Sequence, residues 1–173
     1  SVNATLEAMG GVGLLAKDDK YSSYWSSTQS VDAKLGGYEL SYTVDMNGVC
    51  SLHPKCFGYH VRAVSLFGAT PRPKTVLARD KTSAPYAVGD YYNDGERDGV
   101  VFEVSDDGYS GKIVSLKQSA KRLHWTIDEH ERKRVVWANS ATDGWYNCNI
   151  IRSISAWNRL YPAFEWCRKK GEG

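Results

Sequence analysis

Between Gly37 and Asp45 the chain alternates. Tyr38, Leu40, Tyr42, Val44 and Met46 share one parity, and Glu39, Ser41, Thr43 and Asp45 share the other. Successive side chains of a strand point to opposite sides, so the pattern predicts a strand with Leu40, Tyr42 and Val44 facing inward. Asn47-Gly48 then predicts a tight hairpin turn, and GYHVRAVSLF, ending at Phe67, predicts a further strand. From Tyr86 the apolar runs YAVGDYY, VVFEVS and KIVSL are separated by the turn clusters NDGERDG and DDGYSG, which is the spacing of an antiparallel meander.

Helical periodicity appears at both ends. SVNATLEAMGG predicts a helix with Asn3 as its cap and Gly10-Gly11 as its stop. Thr142 or Asp143 caps a second helix whose apolar face carries Tyr146, Ile150, Ile154 and Trp157, in steps of four, four and three. Tyr161-Pro162 opens a third, running through Phe164 and Cys167 to Gly171, with proline where its missing N–H leaves nothing unpaired. LLAKDDKYSSYWSST reads as irregular, LHWTIDEHERKRVVW follows neither period, and Gly68 to Pro85, with three prolines, reads as a linker or crossing segment.

Composition narrows the function classes. At 173 residues the chain is the size of one ordinary domain, and six Trp and eleven Tyr lean toward a β-rich or ligand-facing protein. A net charge of +2 is too mild to require nucleic acid, and the basic run HERKRVV from His130 reads as a solvated face. No apolar run approaches the roughly 20 residues of a membrane-spanning helix, so direct membrane insertion is not expected. The acidic loop with Asp90, Asn93, Asp94, Glu96 and Asp98 lacks the ligand spacing of a calcium-binding EF-hand and reads as a turn.

Four cysteines allow three pairings. Cys50 and Cys56 can close a short loop, remain thiols, or join His53 in a zinc site, although structural zinc favours tighter spacing. If the two C-terminal helices lie antiparallel, Cys148 at the start of one and Cys167 at the end of the other reach the same end and can form a disulfide.

YWSST at Tyr24 to Thr28, the alternating strand after it and HVRAVSLF up to Phe67 resemble the C-terminal half of the C-type-lectin-like domain family named for the C-terminal domain of a bacterial collagen-like adhesin. GVVFEV, GKIVSL, TDGWYN and YPAFEWCRKKGEG resemble its N-terminal half, in the form common among secreted proteins of gut Bacteroidetes. The halves stand in permuted order. Residues 1–67 match the family's second half, 68–85 link, and 86–173 match its first half. FEWCRKKGEG therefore ends the chain where the family continues into a helix like the one near Val2. The order fits one circularly permuted domain of 1–173, or a slice across a tandem array.

The resemblance implies an α+β fold of C-type-lectin-like type, with a small antiparallel sheet, two or three helices and long irregular loops. It implies a secreted or cell-surface protein whose leader or lipid anchor is not in this chain. The implied role is non-catalytic binding of a polysaccharide, sulfated or acidic, or of a surface protein, with no cofactor. The animal-lectin calcium motifs EPN, QPD and WND are absent from the sequence. The candidate ligand residues are Tyr24 and Trp25 in the irregular segment, His53 and Lys55 in the Cys50–Cys56 loop, and Arg62 near the sheet's end. Trp25 also suits a buried scaffold position, and Trp157 suits the core. Two alternatives stand beside this reading: a surface assembly module completed by self-association, and an oxidase like the formylglycine-generating enzyme of the wider fold, using one of the cysteine pairs. No nucleophile elbow, HExxH, P-loop or dinucleotide fingerprint occurs, and His60 and His124 lack identifiable partners.

Overall fold

The computed structural model describes residues 2–10, 23–32, 37–45, 48–68, 84–134 and 136–170. The protein is mixed α+β, with small antiparallel sheets and short helices, and its residues group into two compact units. Ser1–Leu14 joins Arg62–Gln118 in the first, and Leu15–Val61 joins Ser119–Gly171 in the second.

In the first unit α1 (Val2–Ala8) precedes a four-stranded sheet of β5 (Arg62–Phe67), β6 (Tyr91–Asn93), β7 (Asp98–Val104) and β8 (Gly111–Gln118), in the order β5-β8-β7-β6. The meander is present as the turn clusters require. Asp94 organises the first turn by accepting from the Glu96 and Arg97 N–H groups and pairing with the Arg97 guanidinium at 2.6 Å, so its carboxylate serves the turn. Gly108, at φ +74, makes the second turn, and a Cβ there would meet the Pro85 side chain at 2.5 Å. The core is Phe67, Tyr86, Tyr92, Val101 and Ile113, with the three rings 5.0 to 5.6 Å apart. Asn3 lies inside α1 rather than ahead of it.

The second unit carries a three-stranded sheet, β1 (Ser23–Gln29), β2 (Leu40–Asp45) and β3 (Cys50–Pro54), and the short pair β4 (Gly58–Tyr59) and β9 (Leu123–His124). The segment expected to be irregular is thus strand β1 from Ser23 onward, and residues 14–22 lie outside those described. A short 3-10 turn, Gly37–Glu39, leads into β2, and Gly48 supplies φ +80 in the hairpin to β3. Residues 69–83 of the linker, Met46 and Asn47, and the helix stops Gly11 and Gly171 also lie outside the described residues.

The inward face of β2 is the reverse of the expected one. Ser41 and Thr43 are fully buried, while Leu40, Tyr42 and Val44 are half-buried. The reason is pairing across strands: Trp25 of β1 stands opposite Thr43 and Gln29 opposite Ser41, so large side chains fill the interior and small hydroxyl residues leave them room. The hydroxyls are satisfied locally, Ser41 Oγ donating to the Thr28 carbonyl at 2.7 Å.

Four helices follow: α2 (Glu129–Lys133), α3 (Gly144–Arg152), α4 (Trp157–Leu160) and α5 (Pro162–Lys169). The segment without a clear period contains β9 and α2. Asp143 caps α3, its carboxylate accepting from Tyr146 N–H at 2.8 Å, and Pro162 opens α5 as expected. The inward face of α3 is turned by one residue from the expected one. Asn147 and Ile151 are buried, and Tyr146 is 46% exposed. Asn147 points inward because its amide finds partners there, donating to the Ser140 carbonyl at 2.8 Å and to Thr28 Oγ1 at 3.3 Å. α3 ends at Arg152, and Ala156 adopts a left-handed φ of 56°, so Ile154 and Trp157 leave the helix and pack half-buried against the core. That core stacks Trp125, Tyr161 and Phe164 edge to face, with ring centroids 4.9 to 6.0 Å apart.

Replacing the exposed cap, Asp143→Ala, should cost about 1 kcal/mol of folding stability. Urea unfolding measures this, and a loss near zero would mean that the Asp143 cap does not hold α3.

Candidate functional site

The ligand residues expected from the sequence are mostly interior. Tyr24 and Trp25 are each 8% exposed, and Trp25 donates its indole N–H to the Leu123 carbonyl at 2.7 Å and meets Tyr59 edge to face. Arg62 is buried in the first unit, its guanidinium donating to the Ser115 carbonyl and to Gln118 Oε1. His53 is half-buried, with its ring 4.9 Å from Tyr59, and burial lowers its pKa. Lys55, expected on a loop surface, is fully buried. The loop reading fails there because β3 continues to Pro54 and Lys55 N–H donates to the Glu39 carbonyl, which turns the side chain into the second unit.

In this structure no disulfide joins Cys50, Cys56, Cys148 or Cys167. A bridge between Cys50 and Cys56 is excluded by the strand between them. Cys50 pairs with Val44 at one end of β2, and Cys56 lies past the other end, where Pro54 pairs with Leu40. Cys148 and Cys167 do come together, lining one apolar cavity of about 50 Å³ with Trp25, Val61, Trp125 and Phe164. Burial pushes the Cys148 thiol up to about 11. The cavity has room for a water molecule or two, far short of the roughly 300 Å³ of a small-molecule site. His60 and His124 each hydrogen-bond a backbone carbonyl, that of Ser119 and Cys56 respectively.

Around Lys55 the second unit holds a buried polar cluster. Its ammonium donates to the Arg132 and Arg134 carbonyls at 3.4 and 3.5 Å and sits 4.7 Å over the Trp125 ring. Two long hydrogen bonds and a ring face replace hydration poorly, so burial lowers the lysine pKa to about 7, against upward pulls from Glu131 and Glu39. Glu131, inside the basic run read as solvated, is also buried. It accepts the Tyr161 hydroxyl at 2.5 Å and pairs with Arg134 at 3.1 Å, and with burial this carboxylate raises the Tyr161 pKa. Asp128 caps α2 by accepting from Glu131 N–H at 3.0 Å, a local signal for the start of the helix that does not mark Glu131 as buried.

Gln29 ties this cluster to the surface. Its amide donates to the Tyr38 and Arg134 carbonyls, its oxygen accepts from Val136 N–H at 3.0 Å, and its own N–H donates to the Ala138 carbonyl at 2.6 Å. Val136 and Ala138 are thereby held inward, and Trp137 between them is 60% exposed at φ 60°. A left-handed tryptophan costs about 1–2 kcal/mol and persists where its surroundings impose it. Beyond Ala138 the chain is fastened by Thr28 Oγ1 donating to the Ser140 carbonyl and by Ser140 N–H donating to Asn147 Oδ1. The helix that follows exposes Trp145 and Tyr146, with the Arg152 guanidinium 5.8 Å over the Trp145 ring. The expected YWSST motif thus builds the scaffold, while Tyr146, read on the apolar face of the helix, and Trp137, in a stretch without a period, are exposed.

Among the described residues no group of three or more His, Cys, Asp or Glu side chains is placed to hold a metal ion, and no helix is long and apolar enough to cross a membrane. The chain matches no protein-family model, no curated protein and no solved structure.

Lys55 makes stability depend on pH. Its folded pKa of about 7 lies below the ordinary 10.5, so between these values the unfolded chain binds more protons and stability rises with pH. The unfolding free energy of the wild type, measured relative to Lys55→Met, should therefore climb from about pH 7 toward 10.5. A pH-independent difference would contradict a buried, titrating ammonium.

Proposed function

We propose that the chain is a non-catalytic, extracellular ligand-binding module of C-type-lectin-like type that takes a polysaccharide on the surface presented by Trp137, Trp145 and Tyr146. The observation that carries this reading is Trp137, a large ring held outward in a strained backbone conformation by hydrogen bonds on both sides. An exposed indole offers a flat apolar face of the kind that stacks on a sugar ring, and Arg152 beside Trp145 provides a cation for an acidic or sulfated substituent. A surface site also accords with the small size of the cavity between Cys148 and Cys167. Lys55, the group most like an activated amine, is sealed between backbone carbonyls and the Trp125 ring, which favours a structural role over catalysis.

Strand pairing supports folding of the two sides of the linker together within each unit: β5, before the linker, pairs with β8 after it in the first unit, and β4 pairs with β9 in the same way in the second. One observation favours the assembly reading as a second possibility: β5 lies at a sheet edge among the described strands and leaves Val64 and Leu66 half exposed. A solution mass that rises with concentration and falls to the monomer in Val64→Lys would support it, and a strict monomer at all concentrations would remove it.

The binding reading is tested with Trp137→Gly on an array of neutral, acidic and sulfated glycans. Glycine removes the ring and relieves the left-handed strain, so the variant should melt at or above the wild-type temperature and lose about tenfold or more in affinity, roughly 1.4 kcal/mol. Wild-type binding that survives in the variant, or an array with no binding, would overturn the assignment.

A further inference from the structure

We propose that Lys55 is a buried positioning residue for the Trp137 surface, its ammonium holding the Arg132 and Arg134 carbonyls so that protonation of this one side chain sets how Trp137 is presented. The route is short and continuous. Lys55 Nζ and Gln29 Nε2 donate to the same Arg134 carbonyl, and Gln29 also holds Val136 N–H and the Ala138 carbonyl on either side of Trp137. When the proton leaves, the neutral amine keeps two N–H donors but loses its charge, so its hydrogen bonds to the Arg132 and Arg134 carbonyls and its contact with the Trp125 ring weaken, and the strained turn is held less firmly from one side.

The charged groups bearing on Lys55 come from two elements. Glu131 of α2 and Glu39 of the 3-10 turn both favour the ammonium. Arg134, the Tyr161 hydroxyl and, at 3.7 Å, His130 act through Glu131. His124 is bonded to the Cys56 carbonyl, next in the chain to Lys55. The titration of Lys55 falls near neutral pH because its hydrogen bonds are long and water is excluded.

The functional meaning of this coupling rests on the ligand-binding reading, but the test needs no ligand. The protein is labelled with fluorotryptophan, and the Trp137 resonance, assigned with Trp137→Phe among the six tryptophans, is followed by fluorine NMR from acid to alkaline pH. In the wild type it should shift with a midpoint of about 7. Lys55→Met should abolish the shift. Glu131→Gln, which keeps an acceptor for Tyr161 but removes a charge that favours the ammonium, should move the midpoint to lower pH. His130→Asn should leave it in place. A Trp137 signal that is flat in the wild type, persists in Lys55→Met, keeps its midpoint in Glu131→Gln, or vanishes in His130→Asn overturns the proposal. Should Lys55→Met not fold, the wild type and Glu131→Gln decide. A blank glycan array with an intact titration would sink the ligand reading alone, and glycan binding with a flat titration would sink this one alone.

Discussion

The side chain of Gln29 is the constraint on which the second unit's surface depends. A single buried carboxamide holds three backbone groups, the carbonyls of Tyr38 and Arg134 and the N–H of Val136, and its own N–H holds Ala138. Each of these groups would be costly to bury unpaired. Satisfying them together fixes Arg134, Val136 and Ala138 against β1 and turns Trp137 outward. Neither propensity nor hydrophobic burial would place an indole in the left-handed region. Hydrogen-bond accounting on its two neighbours does.

The same reasoning explains why this interior holds so much polarity. Ser41, Thr43, Asn147, Gln29, Lys55 and Glu131 are all buried in the second unit; the first five bond to backbone, and Glu131 accepts from the Tyr161 hydroxyl and pairs with Arg134. The aromatic stack of Trp125, Tyr161 and Phe164 supplies the apolar part of the core, and the polar groups dictate geometry around it. Lys55 is the weakest member because a hydrated ammonium is replaced by two long bonds and a ring face. The first unit shows the contrast: its core is Phe67, Tyr86, Tyr92, Val101 and Ile113, and the carboxylates of Asp94 and Asp107 organise its turns.

Much of the fold was legible in the residues. The meander after Tyr86, the Gly48 hairpin, the Asp143 cap and Pro162 at the head of α5 were all readable from short-range signals. The candidate site was barely legible. Of five expected ligand residues four are interior, and Trp137 stood in a stretch with no period. Face assignments failed at β2 and α3 for one reason: small or amide-bearing side chains took the inward positions because partners on other elements received them.

The sequence by itself determined where much of the chain turns, where α3 and α5 begin and which stretches extend, because caps, glycine turns and alternation act over a few residues. Tertiary structure alone decided which face turns inward, that Lys55 and Glu131 are buried, and that Trp137 stands out. Those outcomes depend on contacts such as Gln29 with Val136, 107 residues apart, and no local pattern carries information over that distance.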